Sequence, residues 1–222
     1  MLWTLGTSVV VALGFVVLWY WTFTRWNRRR AQKLLVDIES AFAGNGHVGT
    51  VRWLSSSHFL VQMKLGNCGF TQPTVTVKLL PREMPLSWIA GAIKKQRETL
   101  TFDANLLCPP GFNLEVQNQR WSGKARRLIR RRLPKESSVV RLKHLGPFIL
   151  TSRRDWQKDI TGMVHALSAS RDCDLLSVSF RRTAPHFSAT IPLESIAGQD
   201  CAPVRFFDAL RELASGASAA RF

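Results

Sequence analysis

Residues Leu2 to Phe23 contain no charged side chain, and this stretch constrains the fold more than any other. As a helix, twenty-two residues cover about 33 Å, enough to cross a hydrocarbon core of about 30 Å. Val9, Val10, Val11, Val16 and Val17 fill the middle. Trp3 lies at one end, with Trp19, Tyr20, Trp21 and Trp26 at the other, where an aromatic belt would sit. A cleaved signal peptide fits less well. The segment has no basic side chain before it, bulky Trp and Tyr stand where a small-x-small cleavage site belongs, and the apolar run is too long for a normal signal core. No cysteine is placed for a lipid anchor. The expectation is an uncleaved, single-pass anchor over residues 2–23.

Arg25, Arg28, Arg29, Arg30 and Lys33 follow the span directly, and nothing comparable precedes it. The positive-inside rule then predicts an outside N-terminus and a cytoplasmic C-terminal bulk. The chain is 222 residues long and carries 31 Lys and Arg against 15 Asp and Glu, a formal charge of +16. So high a charge favours anionic partners: acidic lipid, an acidic protein or nucleic acid. Four cysteines, Cys68, Cys108, Cys173 and Cys201, are widely spaced and form no C-x-x-C. That pattern supports neither a zinc ribbon nor a redox pair, and reads as buried thiols in a reducing compartment.

Beyond the span, a basic juxtamembrane helix is expected over 24–43. Leu34, Leu35, Ile38, Ala41 and Phe42 recur there at helical spacing, so one face packs on the domain. Gly44-Asn45-Gly46 ends it. Strands are predicted over Val48 to Leu54 and His58 to Leu65, around a Ser55-Ser56-Ser57 turn, and over Thr74 to Leu80. Leu86 to Lys95 reads as a helix with Leu86, Ile89, Ala90 and Ile93 on one face. Further strands follow at Leu100 to Leu107, Phe112 to Gln119, Val139 to Leu145 and Phe148 to Ser152. Asp155 can cap a helix carrying Trp156, Ile160, Met163, Val164 and Leu167. A hairpin over Leu175 to Arg181 and Phe187 to Leu193, then a helix near Val204 to Ala214 with Phe207, Leu210 and Leu213 inward, complete the domain. Residues 215–222 form a small, polar tail. The class is α+β: a transmembrane helix followed by a mostly antiparallel α+β domain over 44–214, whose element order suggests two related halves.

Motifs for chemistry are scarce. Gly44-Asn45-Gly46-His47-Val48-Gly49 matches G-x-G-x-x-G, but a helix precedes it and a strand follows, the reverse of a dinucleotide site. The five histidines are scattered, and His165 has no partner three or four residues away. Asp172-Cys173-Asp174 reads as a polar loop. No cofactor or metal site is expected, and so few acids make hydrolytic catalysis a poor fit.

One segment stands apart. Residues 120–135, RWSGKARRLIRRRLPK, hold six arginines and two lysines with no acid. On a helix from Gly123 to Leu133, Ala125, Leu128, Ile129 and Leu133 fall within an arc of about 140°. Lys124, Arg126, Arg127, Arg130 and Arg131 take the other side, while Arg132 has to snorkel. Ser122 can cap the start and Pro134 stops the end. Such a helix suits an anionic membrane surface. A solvated helix with its apolar side on the core fits the pattern equally well. Nucleic-acid binding, with Trp121 stacking on a base, is the weaker rival. The expected function is membrane-anchored binding or scaffolding, with Arg25, Arg28, Arg29 and Arg30 joining the 124–131 cluster on an anionic surface. The alternatives are a subunit of a membrane complex, or an enzyme whose site is assembled from dispersed residues.

Overall fold

The computed structural model describes residues 2–42, 46–66, 69–110, 113–118, 137–141, 148–153, 175–194 and 208–213. Helix α1, Leu2–Phe42, is continuous over 41 residues, about 60 Å at 1.5 Å per residue. That is twice what a bilayer core takes up, so its second half needs another partner. The sequence supplies one. Asn27, Ala31, Leu34, Ile38 and Phe42 recur every three or four residues, and all five are buried. By contrast Val10, Val11, Leu13, Phe15, Val16, Val17 and Leu18 are exposed. The same helix is therefore apolar all round at first, then amphipathic and docked on a sheet. Among the described residues it is the one helix long and apolar enough to cross a membrane.

The described strands are β1 (Gly46–Ser55), β2 (His58–Leu65), β3 (Phe70–Lys78), β4 (Thr99–Leu106), β5 (Leu114–Asn118), β6 (Ser137–Arg141), β7 (Phe148–Arg153), β8 (Ser177–Phe180) and β9 (Phe187–Pro192), with α2 (Pro85–Ile93) between β3 and β4. Among the described residues they form one nine-stranded sheet in the order β1-β2-β3-β4-β9-β8-β5-β7-β6. Every pairing is antiparallel. The α+β class is thus borne out. The strand order of the two halves differs, however. The first four strands lie side by side in chain order, whereas β5 sits between β8 and β7, so the sheet does not reproduce the suggested relation.

Period-two alternation puts Phe59, Val61 and Met63 of β2, Val75 and Val77 of β3, Leu100, Phe102 and Ala104 of β4, and Phe187, Ala189 and Ile191 of β9 in one core with α1. Phe102 is its centre. It stacks on Phe42 at 6.3 Å and meets Phe70 edge-on at 5.4 Å, both favoured aromatic geometries. Leu210 and Leu213, in the helical stretch 208–213, are fully buried, as the last predicted helix requires. The edge strand β1 is exposed along nearly its whole length.

The register fixes which connections share an end of the sheet. His58 pairs with Lys78, Lys78 with Thr99, and Thr99 with Pro192. The β1–β2 turn, the α2 connection and the end of β9 therefore lie together. Asn118 belongs to the same end, because Gln117 pairs with Ser177 and Ser177 with Thr190.

Two expectations are corrected. Cys108, expected as a buried thiol, is exposed in the turn after β4 and is free; a turn residue past the last strand position has no core to enter. The face of α2 that carries Leu86, Ile89 and Ile93 points outward, not onto the domain. The other three cysteines, the Gly44-Asn45 cap, the helix predicted from Asp155, His165, Asp172 to Asp174, Phe207 and the segment 119–136 lie outside the described residues.

Candidate functional site

The end of the sheet nearest the apolar half of α1 holds a cluster of paired polar groups. Asn27 and Glu83 are both buried. The Asn27 Nδ2 donates to Glu83 Oε2 at 2.9 Å, and Ser56 Oγ donates to Glu83 Oε1 at 2.6 Å. One carboxylate thereby ties α1 to the β1–β2 turn. Glu98, also buried, ties α1 to the chain around α2. Its carboxylate lies 2.7 Å from Arg30 and 3.4 Å from Arg82, and accepts from the Leu80 N–H at 3.4 Å. Its main-chain carbonyl accepts from the Leu193 N–H at 3.0 Å. A buried carboxylate is tolerated only with such partners. Burial lowers the pKa of the Arg82 guanidinium from its ordinary value; Glu98 opposes that shift and Arg30 adds to it.

Aromatic rings complete the junction. Trp26 takes Arg82 over its ring at 4.2 Å and Arg30 at 5.2 Å, which holds both cations by their π-faces as well as by Glu98. Trp19 donates its Nε1–H to the Arg82 carbonyl at 3.0 Å. Its ring lies 4.5 Å from Phe23 and 6.3 Å from Trp88 of α2.

Beside this cluster runs a groove of about 470 Å³. Tyr20, Thr24, Arg28 and Gln32, one stripe of α1 at every fourth position, form one wall, and Trp53, Ser55 and Ser56 form the other. One cation with hydroxyl and amide donors, set where an apolar helix meets a polar domain, can hold an anionic group.

Of the residues expected on an anionic surface, Arg25, Arg28 and Arg29 are exposed, and Arg25 lies over Trp21 at 5.0 Å. Arg30 is half-buried, with its charge engaged by Glu98. Lys124, Arg126, Arg127, Arg130 and Arg131 lie outside the described residues. The chain enters their segment from Asn118, at the junction end of the sheet, and leaves it at Ser137, which pairs with Arg153 at the other end. Sequence reasoning missed Asn27, Glu83 and Glu98. A signal existed for the first: Asn27 interrupts the arginine run on the very stripe that Ala31, Leu34 and Ile38 extend. The two glutamates each follow an arginine, at 82–83 and 97–98, but only the fold shows that they turn inward. Among the described residues no three metal-ligating side chains cluster. No protein-family model matches the chain, and no curated protein is significantly similar to it.

Proposed function

We propose that the chain is a single-pass membrane protein with an outside N-terminus, and that it acts as a binding or scaffolding module whose basic cytoplasmic domain meets anionic lipid or another polyanion. The observation that carries this reading is the continuity of α1. A helix apolar all round over its first half enters the core over its second, with no hinge between, so the domain is held at the point where the span ends. The bonds of Trp19 and Trp26 to the chain around Arg82 favour an uncleaved anchor, since a signal peptide would take Trp19 with it. Arg25, Arg28 and Arg29 then stand at headgroup level, where each basic residue contributes about 1 kcal/mol towards an anionic leaflet.

The test uses residues 24–222, which keep Asn27 and Arg30 but lack the span. This fragment should sediment more strongly with anionic vesicles than with neutral ones, and high salt should remove the difference. Arg127→Glu with Arg131→Glu removes about 2 kcal/mol of attraction and adds the repulsion of two carboxylates, a loss of at least about 30-fold in vesicle affinity. Equal retention on neutral and anionic vesicles, or a double variant that binds like the parent, would overturn the proposal.

A further inference from the structure

At 100° per residue, Leu86, Ile89 and Ile93 fall within about 60° of one another on α2. A helix of a globular domain normally turns such a face inward, yet here Leu86 is 83% and Ile93 78% exposed, with Ile89 and Met84 also open. The opposite side faces the body of the protein. Gly91 lies there, buried, and a Cβ on it would come within 3.2 Å of the Gln96 side chain. A contiguous apolar face left open marks an interaction surface.

Its position says what it meets. Trp88 of α2 contacts Trp19, and Trp19 donates to the carbonyl of Arg82, three residues before α2 begins. Trp19 sits six residues before Arg25, the first charged residue of α1, or about 9 Å along the helix. α2 is thus fixed beside the final turns of the span, at the depth of the water–lipid boundary. No charged residue lies within α2. On its N-terminal flank Arg82 and Glu83 are tied into the junction, and on its C-terminal flank Lys94 and Lys95 are exposed, from where their long side chains reach water while the helix stays in an apolar layer. Tryptophans at positions 19, 26 and 88 are the side chains favoured at that depth.

We infer that α2 is a second membrane contact: an interfacial helix whose Leu86–Ile89–Ile93 face lies in lipid beside the anchor. This rests on the reading that α1 spans a membrane, and not on any anionic surface. A single helix leaves a domain free to rotate about its axis. A second apolar contact removes that freedom and sets the Arg28 groove at headgroup level.

The test places p-benzoylphenylalanine at position 86 or 93 of the full chain in nanodiscs of neutral phosphatidylcholine, irradiates, and reads the adduct by mass. Positions 17, inside the span, and 107, exposed at the far end of the sheet, are the controls. All are exposed sites, so folding is retained. The expected result is a phosphatidylcholine adduct at 86 and 93 in yield comparable with position 17, and its loss at 107. An adduct to protein, or none at 86 and 93 while position 17 labels, would overturn the inference. Neutral lipid keeps this outcome separate from the proposed function, which requires anionic lipid.

Discussion

Arg30, about two turns beyond the apolar half of α1, lies 2.7 Å from the buried carboxylate of Glu98, which precedes β4. The pair joins α1 to the sheet that forms the core. Its two sides are unequal, because Glu98 is 5% exposed and Arg30 36%. Glu98→Ala leaves Arg82 without its counter-ion and should cost about 3 kcal/mol. Arg30→Ala leaves Glu98 with Arg82 and opens onto solvent, so it should cost only about 1 kcal/mol. Urea denaturation of residues 24–222 measures both, and equal losses would contradict this ranking.

Asn27 and Glu83 form the neighbouring tie. Asn27→Ala removes a buried donor from a carboxylate and should destabilise by about 2 kcal/mol. In a Glu83→Ala background the same change should cost much less, since the partner is already gone. A double-mutant cycle reads the coupling, which should exceed about 0.5 kcal/mol for residues in contact.

Docking of α1 on the sheet depends on its inward stripe. Ile38→Ala empties a buried site facing the strands and should cost about 3 kcal/mol. Val36→Ala, two residues away on the outward side, should change stability by less than about 0.5 kcal/mol. Comparable losses at both positions would mean that the second half of α1 is not packed as described.

Orientation is testable through Cys108, the one thiol at the surface among the described residues. Cys108 is exposed and free, so it should react with maleimide in the folded protein. If the domain is cytoplasmic, a membrane-impermeant maleimide should label the parent at that site only after the cells are permeabilised. The Cys108→Ser variant identifies the signal. Labelling of Cys108 in intact cells would place the domain outside.

The sequence made the periodic parts legible. The 34–42 stripe and the alternation in β2, β3, β4 and β9 each record one dominant force, burial of a repeated apolar face, while residues 2–23 stand out simply by carrying no charge. Strand boundaries came within a few residues for that reason. The polar ties stayed hidden, because Glu83 and Glu98 acquire meaning only when the register brings residues far apart in the chain together. α2 misled in the opposite way. Its periodicity is that of a core helix, and Leu86 and Ile93 show the same pattern whether the apolar neighbour is protein or lipid. Cys108 failed expectation because a turn after β4 leaves a small apolar side chain nothing to pack against.

We propose that one uncut helix both anchors the chain and builds its core. The most direct measurement is the intact mass of the protein recovered from carbonate-washed membranes. A chain that still contains Leu2 to Phe23 and resists extraction is the result predicted. A product shortened within residues 2–26, released into the wash, would contradict it.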